Sequence, residues 1–191
     1  VAPLHADHSS SADEMIHLFY GAKDGSASPV VAQWVDYTQS PDEMDWEGVQ
    51  ERQLPQFPGV TFRYAPYEVT ADAGEGEMPA VLIEGMPIWG VWFTDLTGDG
   101  LPELCATLSM GSGLIDNRVL IYDYAGGASY GLEDRGRYDY ALRYSPEEDR
   151  LYVDKRDYQG GALVSTGPLV FRDGVIQVLD GDGGEGGEHR R

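Results

Sequence analysis

Apolar and polar residues alternate with a period of two through most of the chain, and clusters of Gly, Asp, Asn and Pro break that alternation at short intervals. Such punctuation is the pattern of β-strands joined by tight turns. It predicts strands over 60–64, 80–84, 88–94, 103–109, 118–124, 128–132, 138–144, 150–157, 162–171 and 175–179. Gly126-Gly127 and Asp173-Gly174 can take the positive φ angles of two-residue hairpins. The short spacings favour antiparallel neighbours, because a parallel crossover needs about a dozen residues or more. Strict alternation over 88–94 puts Trp89, Val91 and Phe93 on one face and Ile88, Gly90 and Trp92 on the other. Both faces are apolar, as expected of a central strand covered on both sides.

Ahead of residue 56 the pattern is weaker. Residues 30–37 can form a strand. Ser11 and Glu14 have capping-box spacing before Met15, Ile16, Leu18 and Phe19, which predicts a short N-terminal helix. Ser40-Pro41-Asp42-Glu43 is a second helix start, but Gly48 and a poor 3.6-residue period argue against a long helix there. The expected organisation is a linker over 1–10, a mainly β domain over 11–179 with its β-rich core at 56–179, and a disordered acidic Gly-rich tail over 180–191. The fold class is all-β: an antiparallel meander closed as a sandwich, a barrel or a propeller-like fragment.

Composition narrows the function. Thirty-three acidic residues stand against 13 basic ones in 191, a formal net charge of −20. That surface repels phosphate backbones and anionic membranes, which argues against nucleic-acid binding. No stretch approaches the roughly 20 apolar residues of a membrane span, so no membrane insertion is expected of this segment. The chain opens on Val1 without a leader and reads as a mature or trimmed fragment. Cys105 is the sole cysteine, which rules out an internal disulfide and a Cys-based zinc site; its apolar neighbours read it as a small buried hydrophobe. His5, His8, His17 and His189 all lie outside 18–188, so a histidine general base is missing from the β region. The acid pairs Glu133/Asp134 and Glu147/Glu148 read as solvated turns, and a carboxylate-based glycosidase would need two acids from separate strands to converge. Trp89, Trp92, Tyr122, Tyr124, Tyr138 and Tyr140 are candidates for an aromatic face that binds sugar or peptide, with burial in the core as the alternative.

One loop carries distinct chemistry. In Asp95-Leu-Thr-Gly-Asp-Gly-Leu-Pro-Glu103, oxygen donors fall at the first, third, fifth and ninth positions (Asp95, Thr97, Asp99, Glu103), and the Leu101 carbonyl is available at the seventh. Alternate oxygens around sharp glycine turns are the ligand rhythm of a calcium loop. Position 12 is Ala106, so the bidentate glutamate of an EF-hand is missing, and the flanks are strands. A metal-free acidic turn is the competing reading.

The run Val91–Leu104 (VWFTDLTGDGLPEL), followed by Arg118-Val-Leu-Ile-Tyr-Asp, resembles a single FG-GAP or VCBS-type repeat, in which an acidic loop binds calcium between two strands of a blade. The resemblance implies Asp95, Asp99 and Glu103 as side-chain ligands; Thr97 stands where an Asp or Asn is usual, which weakens the set. A wider stretch of roughly 54–179, through Phe57-Pro-Gly-Val, Gly85-Met-Pro-Ile-Trp and Val119-Leu-Ile-Tyr-Asp-Tyr, is similar to extracytoplasmic C-terminal regions of beta-lactam-sensor-like membrane metallopeptidase regulators and related exported proteins of gut Firmicutes. H-E-x-x-H, S-x-x-K and K-T-G motifs are missing, so neither protease nor beta-lactam acylation chemistry follows. The expectation is a non-catalytic exported or cell-surface binding or sensing module of a Gram-positive bacterium, stabilised by one calcium ion, with a protein or glycan partner. Alternatives are a carboxylate-based enzyme acting on glycan or peptidoglycan, and a spacer without its own ligand.

Overall fold

The computed structural model describes residues 30–74, 76, 78–111 and 115–179. The expected linker, N-terminal helix and acidic tail, and all four histidines, lie outside these residues. Among these residues thirteen strands run in chain order: β1 (Val30–Asp36), β2 (Gln50–Arg52), β3 (Thr61–Ala65), β4 (Glu68–Asp72), β5 (Ala80–Glu84), β6 (Ile88–Thr94), β7 (Glu103–Ser109), β8 (Asn117–Asp123), β9 (Ala128–Leu132), β10 (Tyr138–Ser145), β11 (Arg150–Asp157), β12 (Leu163–Arg172) and β13 (Val175–Val178). They form three antiparallel sheets ordered β2-β3-β4-β5, β1-β6-β7-β8-β9 and β10-β11-β12-β13. The all-β antiparallel class is therefore observed, with no closed barrel among the described residues. At Pro41–Glu43 the helix start yields a single 3-10 turn.

The five-stranded sheet is the middle layer, and it is apolar on both faces for that reason. All seven residues of β7 are buried. Leu104, Ala106 and Leu108 face the first sheet, where they join Phe62, Tyr64, Val69 and Ile83. Cys105 faces the third sheet, where it joins Leu142, Leu151, Val153 and Leu169. Each fully buried leucine or isoleucine contributes about 1.5–3 kcal/mol relative to exposure, so these two alternating rows tie three layers together. Polar bonds register the layers: the Tyr64 hydroxyl donates to the Ile88 carbonyl at 2.9 Å, and the Leu142 N–H donates to Thr107 Oγ1 at 2.8 Å.

β6 departs from strict alternation. Its pairing with β7 moves from Ile88↔Leu108 directly to Gly90↔Thr107, so Trp89 is an extra residue, a β-bulge. Ile88 consequently joins Val91 and Phe93 in the first core, while Trp92 alone enters the second. The expected grouping of Trp89 with Val91 and Phe93 is corrected by that one residue. The Gly126-Gly127 turn also differs: Asp123 pairs with Ala128, and only Gly127 has positive φ (66°), so the connection has four residues. Asp173 and Gly174 both have positive φ (52° and 79°), as a two-residue hairpin requires. β1 and β2 precede residue 56, so among the described residues strands also lie ahead of the expected β-rich core.

Candidate metal centre

The acidic loop joins β6 to β7 directly beyond the cross-strand pair Thr94↔Glu103. Its first acid organises the turn. Asp95 Oδ1 accepts the N–H groups of Gly98 (2.7 Å) and Asp99 (3.1 Å), and Oδ2 accepts that of Gly100 (2.9 Å). Gly98 and Gly100 have φ of +76° and +88°, angles that a Cβ disfavours. From the other strand, Glu103 Oε2 accepts the Leu96 N–H at 2.6 Å, and Oε1 accepts the Thr97 hydroxyl at 2.7 Å. Asp99 Oδ1 accepts the Leu101 N–H at 2.8 Å. Leu96 is anchored in the second core and Leu101 packs against the first, so the loop is pinned on both sides of the middle sheet.

These contacts bring Asp95, Asp99 and Glu103 together, with one carboxylate oxygen of each within 4.8 Å of the others. Asp95 and Glu103 are buried and Asp99 is exposed, which gives the cluster one open side. Among the described residues no Lys, Arg or His forms an ion pair with any of the three. Burial pushes the Glu103 carboxyl up to about 7 and the Asp95 charge adds to the rise, against the opposing hydrogen bonds from Thr97 and Leu96. Burial likewise raises Asp95, against the N–H groups of Gly100 and Gly98, with the Asp99 charge adding to the rise. Such a cluster favours uptake of a proton, and its oxygens could hold a cation. The donor set is all oxygen, which suits a hard divalent ion. Thr97 is near the centre, with its hydroxyl proton committed to Glu103.

The six aromatic candidates do not share a face. Trp92 is wholly buried in the second core, its indole N–H without a hydrogen-bond partner among the described residues. Tyr140 packs against that core, whereas Tyr122 and Tyr124 pack against the first, Tyr124 edge-on to Phe57 and Phe62. Tyr138 lies beneath the Lys155 ammonium, 3.8 Å from the ring centroid. Trp89, displaced by its bulge, meets Trp46, which the strand pattern does not single out; the only hint is a large aromatic within an acidic stretch. The surface acid pairs are held locally: Glu133 pairs with Arg118, and Glu148 pairs with Arg150 and accepts the Tyr152 hydroxyl.

No family model, curated protein or solved structure matches the chain.

Proposed function

We propose that this chain is a non-catalytic binding or sensing module, exported or displayed at the cell surface, whose β6–β7 hairpin is clamped by one calcium ion. The observation that carries the calcium reading is the convergence of Asp95, Asp99 and Glu103 within 4.8 Å without a cationic side chain among the described residues to balance them. A bound divalent ion supplies the missing positive charge. Asp95 and Glu103 come from opposite sides of the hairpin, so holding one ion ties the end of β6 to the start of β7. Asp99 closes the exposed side, and the Thr97 oxygen and Leu101 carbonyl complete the proposed donor set. The loop is rooted in two cores, so the ion's role is to stiffen. The acidic surface and the single buried cysteine suit the extracytoplasmic setting, and the module's partner is a protein or a glycan.

Thermal melting of metal-stripped protein with calcium, magnesium or chelator tests the clamp. A calcium site stabilises by about 2.7 kcal/mol at a hundredfold excess over Kd, and Asp99→Ala, an exposed change, should remove that response. A stripped sample whose melting temperature ignores calcium would show the loop to be a hydrogen-bonded turn alone.

A further inference from the structure

The opposite end of the middle sheet, where β6 begins and β7 ends, carries a second constellation. Trp46 stands in a tight turn in which the Glu47 N–H donates to Asp45 Oδ1 at 3.2 Å and the Gly48 N–H to the Asp45 carbonyl at 3.1 Å. A Cβ on Gly48 would meet the Asp45 carboxyl carbon at 2.8 Å, so the turn packs closely against the Asp45 side chain. The turn sets the Trp46 ring 6.2 Å from Trp89 at 78° and 6.2 Å from Tyr67 at 35°. Trp46 and Tyr67 remain 49% and 51% exposed. Large aromatics held in fixed positions yet left in water mark recognition surfaces more often than isolated apolar residues do. Perpendicular rings at this separation leave a corner from which one cation reaches both centroids within roughly 6 Å.

Beside Trp89 opens a cavity of about 370 Å³, lined by Thr38, Pro41, Ile115 and Ala141 with Ser109 and Asn117. The Ser109 hydroxyl donates to Asn117 Oδ1 at 2.7 Å, which leaves the Asn117 amide N–H groups available as donors. On the cavity's far side, Arg118 beside the lining Asn117 is paired with Asp116 and Glu133, whereas the segment that carries Pro41 and Trp46 has charge of one sign. Residues 36–51 contain Asp36, Asp42, Glu43, Asp45, Glu47 and Glu51 and neither Lys nor Arg. Asp45 and Glu47 flank Trp46, and Asp42 follows the lining residue Pro41. The nearest basic residue along the chain, Arg52, is turned onto the Gln33 carbonyl at 3.0 Å. An aromatic corner within an acidic rim suits an alkylammonium, and the neighbouring apolar cavity with one amide donor suits the next side chain and carbonyl of a peptide.

We propose that Trp46, Tyr67 and Trp89 seat a basic peptide segment, with a lysine side chain in the aromatic corner and an adjacent apolar residue in the cavity. The inference rests on the reading of the chain as a binding module and supplies the class of its partner. A cation between ring faces and carboxylates gains from both, and the net charge of −20 steers a basic partner toward the surface.

The test is titration of the intact chain with a capped short peptide alternating lysine and leucine, followed by calorimetry and tryptophan fluorescence. A glutamine-for-lysine peptide, tetramethylammonium and choline serve as the other arms. The expected result is saturable binding that weakens with salt and falls about tenfold with the glutamine peptide or with Trp46→Ala. Trp46→Phe, which keeps a ring, should retain most of the affinity and guards against a folding defect. Equal binding of the glutamine peptide, or undiminished binding by folded Trp46→Ala protein, overturns the proposal. Tighter binding of tetramethylammonium or choline than of the peptide also overturns it, assigning the corner to a small quaternary ammonium. Calcium melting of the same samples separates the two readings. A calcium response without peptide binding removes only the peptide site, and peptide binding without a calcium response removes only the clamp.

Discussion

Thr107 Oγ1 accepts the backbone N–H of Leu142 at 2.8 Å across two buried layers. β10 is an edge strand of the third sheet, so the Leu142 N–H points away from its own ladder and toward the middle sheet. Thr107→Val keeps the shape and removes the acceptor, leaving a buried donor unpaired. The expected loss is about 1–3 kcal/mol, read as a lower urea midpoint, with Thr107→Ser losing clearly less.

Asp139 joins the same two layers at a second point. It is buried, and its two oxygens accept the Asn117 N–H at 2.9 Å and the Gly160 N–H at 2.7 Å. Asp139→Ala strands both donors and should cost about 2–4 kcal/mol. Asp139→Asn keeps one acceptor and should fall between Asp139→Ala and the parent in chemical denaturation.

Gly90 is covered by the Trp92 ring, and a Cβ there would come within 2.7 Å of Trp92 Cζ3. Trp92 is fully buried and cannot swing outward. Gly90→Ala should therefore destabilise by about 2–3 kcal/mol and lower the melting temperature by about 5 °C or more. A changed near-ultraviolet circular dichroism spectrum would accompany the loss.

The raised Glu103 carboxyl gives stability an inverted pH dependence. Between its ordinary value of 4.5 and the folded value of about 7, the folded chain keeps a proton that the unfolded chain has released. That contribution is fully present below the lower value and declines as pH rises through the window, by up to about 3 kcal/mol. Metal-free protein should thus melt progressively lower from pH 5 to pH 7.5 on account of this group. Glu103→Gln should flatten that slope and leave the protein more stable than the parent at pH 8. In the proposed clamp calcium would compete with the same proton, so its stabilising effect should grow over the same range and vanish in Glu103→Gln. A parallel pH–stability slope in parent and variant would show that Glu103 does not titrate in this window.

Much of this architecture is legible in the sequence, because the middle sheet is built from long β-branched and aromatic strands bounded by glycine and aspartate turns. The bounds of β5, β6, β7, β9 and β11 match the alternation pattern exactly as residues 80–84, 88–94, 103–109, 128–132 and 150–157. β2 was not legible because Gln50–Arg52 is a polar, mostly exposed edge strand, held by pairing with β3 and carrying no apolar alternation of its own. β4 is not legible because its buried residues, Val69, Thr70 and Ala71, are small or polar and the segment runs into Gly-rich chain. Gly90 is the visible trace of the β6 bulge, since an isolated glycine in a strand often marks one, but it does not tell which neighbour is displaced. The aromatic corner escaped for a different reason. Trp46, Tyr67 and Trp89 come from separate turns and strands, and only the stacking of two sheets makes them neighbours.

The single cysteine turns this layering into an internal probe. Cys105 points into the interface between the middle and third sheets, and burial holds its thiol well above the ordinary value, with the Glu103 charge adding to the rise. A thiol reagent can therefore reach it only when those two layers part. Alkylation kinetics would time that separation in the unmodified chain, with no dye or engineered label, and the first sheet's opening would leave the signal silent.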